Sequence, residues 1–220
     1  MPASGVVPQR TIARLAIYLR ALKSAQREGV QTLSSAGIEE RTGISAAQVR
    51  RDLSYFGEFG VPGRGYGVES LLARLMQIMH LDHEQAVMIV GAGNLGTAIT
   101  GYLGFTEWSF RVAAIYDSNW NKIGRRLWDL EIWDINSMVE HNREMKVAIG
   151  IIATPANAAQ EVAEMMVRAG VKSILNFAPM RVQVAPGVVV HNVDLTVELQ
   201  ILAYFLPAPE ASPSGQGNQS

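Results

Sequence analysis

A strand-length apolar run leads directly into a glycine turn near the middle of the chain, where residues 86–96 read AVMIVGAGNLG. The first five residues predict a buried strand, GAGNLG is a G-x-G-x-x-G motif, and a helical pattern follows to about residue 103. In such a motif Gly91 makes the tight turn, Gly93 lets a pyrophosphate approach the backbone, and Gly96 lets the helix pack on the strand. The N-terminus of that helix favours an anion. This context predicts a dinucleotide-binding loop whose residues are Gly91, Ala92, Gly93, Asn94, Leu95 and Gly96.

A second apolar run, residues 111–116, ends at Asp117, which follows Gly96 by 21 residues. A carboxylate at this distance can accept hydrogen bonds from both ribose hydroxyls, and its charge repels a 2′-phosphate. The spacing therefore predicts that the dinucleotide is NAD(H) rather than NADP(H). The basic pair Arg125-Arg126 lies beyond the usual loop, and we interpret it as surface charge.

The alternation of strands and helices continues to the C-terminal part of the chain. Residues 147–153 predict a strand, and Thr154 and Pro155 follow its carboxyl end, where ligands bind in open α/β sheets. A helix over 156–169 and strands over 173–177 and 188–192 complete a Rossmann-like parallel sheet domain. The last helix, about 194–206, is apolar on most sides, so it must be buried on several sides. Exchange of this helix between two subunits would bury it, which predicts a dimer.

The first half of the chain predicts a helix-turn-helix. A helix begins near Arg10, with Thr11 as its N-cap, and Gly29 ends it. A short helix over 35–42 follows, and Ser45 caps a third helix over about 46–56 through a capping box with Gln48. Two short helices at this spacing are typical of DNA-binding helix-turn-helix units.

The third helix has two different faces. Val49, Leu53 and Phe56 stand at helical spacing and point inward. Gln48 and Arg51 are residue types that make bidentate hydrogen bonds to adenine and guanine edges. These two residues lie on the candidate DNA-binding face, and Arg50 lies on its flank. The complete set of candidate DNA-binding residues on this helix is Ala47, Gln48, Arg50, Arg51, Ser54 and Tyr55.

Residues 57–67 contain five glycines in eleven positions. This composition predicts a flexible hairpin tipped by Arg64 and including Tyr66, which would act as a wing that reaches a minor groove or phosphates. A linker between two domains is the alternative interpretation of the same stretch. An amphipathic helix over 68–80 then joins the two halves.

Composition excludes several kinds of site. The chain has 220 residues and no cysteine, so it has no disulfide, thiolate zinc site, iron–sulfur cluster or thiol switch, which fits a cytoplasmic protein. The four histidines form no convincing metal site, and no catalytic arrangement of side chains stands out, so we expect no enzyme. Residues 1–80 carry a net charge of +4 and residues 81–220 a net charge of −5, which indicates two units with different partners.

Several segments resemble the Rex family of bacterial redox-sensing transcriptional repressors. The most specific is AAQVRRDLSYFG at 46–57, and the others are RLAIYLR at 14–20, GAGNLG at 91–96, IATP at 152–155, SILNFAP at 173–179 and VDLTVELQ at 193–200. The resemblance implies a homodimer with winged-helix and Rossmann-like domains, which binds palindromic operator DNA and leaves it when NADH binds. It implies that the glycine loop and Asp117 hold the dinucleotide, and that Tyr102 and Asp194 couple its nicotinamide end to the domain arrangement. Some members carry Arg where this chain has Asn94.

The expected organisation is a disordered segment 1–9, a DNA-binding domain 10–80, an NAD(H)-binding domain 81–206 and a disordered tail 207–220. Two other functions remain open. An NAD-dependent oxidoreductase with an accessory N-terminal domain would show turnover with small hydroxy acids or aldehydes. A nucleotide- or CoA-binding module would carry the α/β domain without DNA release by NADH.

Overall fold

The computed structural model describes residues 7–60, 63–102 and 104–206, so the tail 207–220 and residues 1–6 of the segment 1–9, both expected to be disordered, lie outside the described residues. Gln9, the last residue of that segment, begins the first helix. The chain divides into two compact units. The first unit is Met1–Gln85 with Gly104–Phe110, and the second unit is Ala86–Leu103 with Arg111–Ser220.

The elements follow one another in the order α1 (Gln9–Arg27), β1 (Thr32–Leu33), α2 (Ser35–Thr42), α3 (Ala46–Ser54), β2 (Tyr66–Gly67), α4 (Val68–Ile78), β3 (Gln85–Val90), α5 (Asn94–Thr100), α6 (Gly104–Glu107), β4 (Phe110–Asp117), β5 (Arg126–Leu127), β6 (Leu130–Asp134), α7 (Met138–Met145), β7 (Ile149–Ile152), α8 (Ala156–Arg168), β8 (Ser173–Asn176), β9 (Val189–Asn192) and α9 (Leu195–Tyr204). A short 3₁₀ turn precedes α7.

The first unit is built on α1, which buries most of the apolar side chains on one of its faces. Leu15, Leu19 and Leu22 pack against side chains of α2, α3 and α4, including Ile38 and Val49. The helix begins at Gln9 after Pro8, so the expectation that Thr11 caps it is wrong. Thr11 lies inside the first turn and is buried. Its hydroxyl donates a hydrogen bond to Asp52 of α3 and so does not cap the helix.

The glycine-rich stretch differs from the predicted hairpin. Its described residues contain no pair of strands; instead β2 pairs antiparallel with β1, which precedes the helix-turn-helix. Gly65 has φ +76, and a Cβ there would lie 2.5 Å from the carbonyl oxygen of Leu33. Gly60 has φ +87, and a Cβ there would lie 2.5 Å from the carbonyl oxygen of Gly65. These glycines let the wing fold back closely on β1.

The segment 104–110 belongs to the first unit although it lies between α5 and β4 in the chain. Lys23 of α1 donates to the carbonyl oxygen of Glu107 and lies over the ring of Trp108, 4.3 Å from its centre. Arg27 pairs with the carboxylate of Glu107. Contacts of α1 with two successive residues therefore hold this segment in the first unit.

The second unit is a seven-stranded sheet in the order β5-β6-β4-β3-β7-β8-β9. Pairs β3–β7, β7–β8, β8–β9 and β4–β6 are parallel, and β5 is antiparallel at the edge. Without β5 this is the strand order of the Rossmann fold, so the expected parallel α/β domain is confirmed. The order reverses at β3, and the crevice beside that strand is where such sheets bind ligands.

Two parts of the second unit were not expected in this form. Between Asp117 and β7 the chain forms β5, β6 and α7, none of which was predicted from the sequence. The predicted last helix is present as α9, but none of its residues is buried in the single chain, and Leu199 and Leu202 are 65% and 63% exposed. Within the described residues, no helix has the length and apolar character needed to cross a membrane.

Candidate functional sites

A cavity of about 510 Å³ lies in the second unit beside the carboxyl ends of β3, β4 and β7. This volume is in the range of ordinary small-molecule sites. Its lining includes residues from all three predicted parts of the dinucleotide site: Gly91 and Gly93, Asp117, and Thr154 with Pro155. The structure therefore brings together segments that are more than 60 positions apart in the chain.

The glycine loop has the close packing that its motif requires. Gly91 has φ +106, and a Cβ there would lie 2.6 Å from the carbonyl oxygen of Ala153. A Cβ on Gly96 would overlap the carbonyl oxygen of Gly91, so only glycine lets α5 sit against the turn. A Cβ on Gly93 would meet nothing within 4 Å, which leaves open space beside the backbone. Asn94 and Leu95 begin α5 and are exposed.

Asp117 is buried at the end of β4 and already has three hydrogen-bond donors. Its Oδ2 accepts from the backbone N–H of Ala92 at 2.8 Å and from Nζ of Lys122 at 2.9 Å, and its Oδ1 accepts from the N–H of Asn119 at 2.8 Å. Burial alone would raise the pKa of Asp117, but these hydrogen bonds and the charge of Lys122 hold the pKa below its ordinary value. The carboxylate is thus ionised and fixed, with part of its accepting capacity left.

Thr154, which lines this cavity, has a buried hydroxyl without a hydrogen-bond partner among the described residues. Buried hydroxyls are normally paired, and an unpaired one in a cavity fits a ligand that supplies the missing partner. The ionised Asp117, the open space at Gly93 and the unpaired Thr154 hydroxyl together fit a bound dinucleotide. Lys122, which also lines the cavity, was missed because it lies in a loop and belongs to no motif.

The N-terminus of α3 is fixed by α2 and by its own cap. Ser45 Oγ accepts from the N–H of Gln48 at 3.3 Å, and Oε2 of Glu39 accepts from the N–H of Ala46 at 2.9 Å. Half of the predicted capping box is therefore present. The side chain of Gln48 does not reach back to Ser45; it donates to Asp52 instead, at 2.8 Å.

Most of the predicted DNA-binding side chains lie on the surface. Arg50 donates through Nη1 to Oγ of Ser35 at 2.7 Å, which ties the flank of α3 to α2, and Gln48 is half-buried. The exposed members of the predicted set are Ala47, Arg50, Arg51, Ser54, Tyr55 and Arg64.

Tyr66 departs from the prediction. Its side chain is only 8% exposed and packs in the core of the first unit, where β2 pairs with β1. Burial raises its pKa. Tyr66 is therefore a supporting residue beneath the wing, and the expectation that it contacts DNA loses its basis.

Asp52 is a functional candidate that no pattern in the sequence predicted. It is 0% exposed, yet it lies on α3 among the residues of the predicted DNA-binding face. Its carboxylate accepts hydrogen bonds from Thr11, Arg14 and Tyr18 of α1 and from Gln48 of α3. A buried acid in a run of basic residues signals an internal ion pair, but the partner stands 38 positions away.

Two protein-family models match the two halves of the chain. The model described as "Putative DNA-binding protein N-terminus" matches residues 6–54, and the model described as "CoA binding domain" matches residues 82–180. The first covers the helix-turn-helix, and the second covers the glycine loop and most of the sheet.

Whole-length relatives decide the family. The redox-sensing transcriptional repressor Rex of Carboxydothermus hydrogenoformans is 46% identical over 198 residues, which cover 90% of this chain and 95% of that protein. The Rex protein of Pelotomaculum thermopropionicum is 45% identical, over 93% of this chain and 96% of that protein. The chain belongs to the Rex family of redox-sensing transcriptional repressors.

Solved structures agree with the Rex assignment. The Rex-family repressor RSP in complex with β-NAD⁺ and operator DNA has a TM-score of 0.87 and 37% identity, covering 91% of this chain and 93% of that chain. RSP in complex with β-NADH has a TM-score of 0.82 and 35% identity, covering 91% of this chain and 94% of that chain. The similarity extends over both compact units.

Tyr102 and Asp194, which the Rex resemblance implies are switch residues, differ in their position relative to the nearest helix. The predicted helix after the glycine loop extends to about residue 103 and so includes Tyr102, but α5 ends at Thr100. Tyr102 therefore follows the helix and is 61% exposed. Asp194 does open the last helix. Its Oδ1 accepts from the N–H of Thr196 at 2.9 Å and from that of Val197 at 3.4 Å, so it is the N-cap of α9.

Proposed function

We propose that this Rex-family chain is a transcriptional repressor that binds operator DNA as a homodimer and leaves it when NADH binds. The observation that carries the proposal is the presence, in one chain, of an ordered helix-turn-helix and a dinucleotide cavity with an unpaired buried hydroxyl. The RSP complex with both β-NAD⁺ and operator DNA supports it. The repressor would then respond to the ratio of NADH to NAD⁺.

The DNA-binding domain would be residues 10–80. We assign base contacts to Gln48 and Arg51, and phosphate or minor-groove contacts to Arg50 and Arg64, because the arginines are exposed and carry charge. Ala47 is small and exposed at the start of α3, which would let the helix approach a groove closely. Ser54 and Tyr55 complete the face at the end of α3.

The NAD(H)-binding domain would be residues 81–206. The loop 91–96 would hold the pyrophosphate, Asp117 the ribose, and Thr154 with Pro155 the part of the ligand that enters beside β7. These assignments rest on the shared cavity and on the backbone packing of Gly91 and Gly96. When bound, the ligand supplies a nicotinamide whose charge differs between the two redox states.

That charge difference is the basis of the proposed switch. NAD⁺ and NADH share their adenosine and pyrophosphate, so the glycine loop and Asp117 would hold both. A ligand shifts an equilibrium only by its difference in affinity for the two states, so the DNA-released state must favour the neutral ring. Burying a cationic ring without a partner is costly, which favours NADH in an apolar, closed pocket. By linkage, operator DNA must weaken NADH binding by the same factor.

The proposed dimer is formed by exchange of α9. The helix is apolar on nearly every side and has no buried residue in the single chain, and a second copy of the chain would provide the groove that covers it. Because a repressor must reach the chromosome, we place the protein in the cytoplasm.

A DNA gel-shift with NAD⁺ and NADH titrated separately tests the function. We expect NADH to release the operator at concentrations at which NAD⁺ does not. Equal effects of both dinucleotides, or no binding to any selected duplex, would contradict the proposal. The oxidoreductase alternative finds no support in the relatives, which are named transcriptional repressors. Turnover of a hydroxy acid with NAD⁺ would reopen it.

A further inference from the structure

We propose that Asp52 is a positioning residue that holds the side-chain amide of Gln48 in one orientation and thereby sets which base α3 reads. The inference rests on the proposed role of α3 as the DNA-recognition helix. It concerns a residue that is itself buried and does not reach DNA.

The carboxylate of Asp52 is held from several directions. Oδ2 accepts from Nε of Arg14 at 2.5 Å and from the hydroxyl of Tyr18 at 2.8 Å. Oδ1 accepts from Nη2 of Arg14 at 2.7 Å and from Oγ1 of Thr11 at 3.2 Å. The paired contacts of the guanidinium are the strong, geometrically specific kind. The carboxylate therefore cannot rotate without breaking several bonds to α1.

Gln48 completes this network from α3 itself. Its Nε2 donates to Oδ1 of Asp52 at 2.8 Å, one helical turn away. An ionised carboxylate accepts hydrogen bonds and does not donate them, so the amide nitrogen must face Asp52. The opposite orientation of the amide would place Oε1 against the carboxylate, where two acceptors repel. The bond thus excludes one of the two orientations of the amide.

The orientation left to Gln48 is suited to one base. Oε1 and the second N–H of Nε2 remain available to a base, so the amide presents one acceptor beside one donor. Adenine presents the complementary pair in the major groove, the N6 donor and the N7 acceptor. Guanine presents two acceptors there, and satisfying both would take both N–H bonds of Nε2, one of which is held by Asp52. Asp52 therefore makes adenine preferred over guanine at the base pair that Gln48 contacts.

The test measures base discrimination at one position. A preferred duplex is first selected from random DNA with the wild-type full-length chain, and each base pair is then changed in turn. Gln48→Ala identifies the pair that Gln48 reads, as the position where discrimination is lost. At that pair we expect Asp52→Asn to lower the ratio of adenine to guanine affinities by about fivefold or more, because the fixed bidentate pairing with adenine is lost. Because Asp52 acts through Gln48, the double variant should show the same discrimination at that pair as Gln48→Ala alone.

Tyr18→Phe is the matched control, because it removes one donor to Asp52 and leaves Gln48 untouched. We expect it to lower stability but to keep the adenine preference. A folded Asp52→Asn chain with wild-type discrimination would overturn the proposal. A wild-type chain that selects no duplex would instead contradict the proposed function.

A second measurement does not depend on whether Asp52→Asn folds. In the wild-type chain, nuclear magnetic resonance of the Gln48 side-chain amide should show one of its two protons protected by the bond to Asp52. An amide with two equally exposed protons would overturn the proposal.

Discussion

Lys122 donates to the same oxygen of Asp117 that accepts the backbone N–H of Ala92, at 2.9 and 2.8 Å. Both side chains line the cavity beside the glycine loop. The acid that would bind the ribose is therefore paired with a cation. A 2′-phosphate at this place would meet a repelling carboxylate and an attracting ammonium group at once.

This pairing sharpens the expected effect of Asp117→Ala. The variant should weaken NADH binding, because the ribose loses its acceptor, and it should raise the relative affinity for NADPH, because Lys122 is left without its carboxylate. Isothermal titration with both dinucleotides measures the two effects. The control is Asp117→Ala with Lys122→Ala, in which the gain for NADPH should disappear. Unchanged affinities in Asp117→Ala would show that Asp117 does not lie at the ribose.

Arg51 and Arg50 should differ in what they contribute to DNA binding. Arg51→Ala should cost about 1–3 kcal/mol on the operator and relax specificity at one base pair, because it is assigned to a base edge. Arg50→Ala is the comparison, because Arg50 is bonded to Ser35 on the flank of α3. This variant should weaken binding to specific and to random duplexes by the same factor, and it should reduce the slope of binding affinity against salt concentration by about 1. Gel-shifts at several salt concentrations separate the two patterns. Equal loss on operator and random DNA for Arg51→Ala would contradict base reading.

The ion pair of Arg14 and Asp52 should make stability depend on acid pH. Burial alone would raise the pKa of Asp52, but the hydrogen bonds from Arg14, Tyr18 and Gln48 hold the pKa below its ordinary value of about 3.9. A lowered native pKa stabilises the fold above the unfolded-state pKa, and that stabilisation is lost as the pH falls through the native pKa. Urea unfolding should therefore show the free energy of unfolding falling below about pH 4.

Asp52→Asn supplies the control for this acid effect. It should cost about 3 kcal/mol at pH 7, because it leaves the half-buried Arg14 without its counter-charge. The acid loss of the first unit should then be smaller in Asp52→Asn than in the wild-type chain. If the two chains lose stability in parallel between pH 5 and pH 2, the acid dependence comes from other carboxylates, such as Asp117.

The switch assigned to Tyr102 and Asp194 can be separated from helix capping. Tyr102→Ala and Asp194→Ala should bind operator normally but need more NADH for release. Asp194→Ala also removes the N-cap of α9, at a cost of about 1 kcal/mol. Asp194→Asn keeps a capping oxygen and removes the charge, so it should blunt release without loosening the helix. A Tyr102→Ala or Asp194→Asn chain that releases DNA at wild-type NADH concentrations would exclude that residue from the switch.

Truncation after Val193 should abolish the stable dimer. It removes α9 and leaves the groove that the helix of the other subunit would fill, so monomers or aggregates are expected in analytical ultracentrifugation. As a control, a chain ended after Leu206 keeps α9 and should remain dimeric. An intact dimer after the shorter truncation would end the proposal of exchanged helices.

The parts of the fold that follow from local patterns were predictable. The glycine loop between β3 and α5 and the cap of α3 each depend on residues a few positions apart, and the acid at the end of β4 follows the loop at the fixed spacing that the motif sets. The structure confirms the Rossmann-like parallel sheet domain that these signals predict. The strands β1 and β2 have two residues each, which is too short for any periodic signal, and so their pairing and the burial of Tyr66 were not predicted.

The missed site residues depend on partners that are distant in sequence or lie in loops. Asp52 looks like a surface acid on α3 until Arg14 of another helix is placed beside it. Lys122 becomes a site residue only because the loop after β4 turns back and brings its ammonium group to the carboxylate of Asp117. Gln48 was assigned to a capping box because its local spacing allowed it, but a charged acceptor one turn further along binds its amide more strongly.

None of the ten residues of α9, the last helix of the α/β unit, is buried in the single chain. When two chains exchange it, the free energy gained by covering its apolar side chains appears on association and not on the folding of either chain alone. The melting temperature should then rise with protein concentration. At low abundance a newly made chain would expose the same side chains to any other apolar surface. The cellular amount of this protein would decide how many operators are covered and also how long each subunit survives.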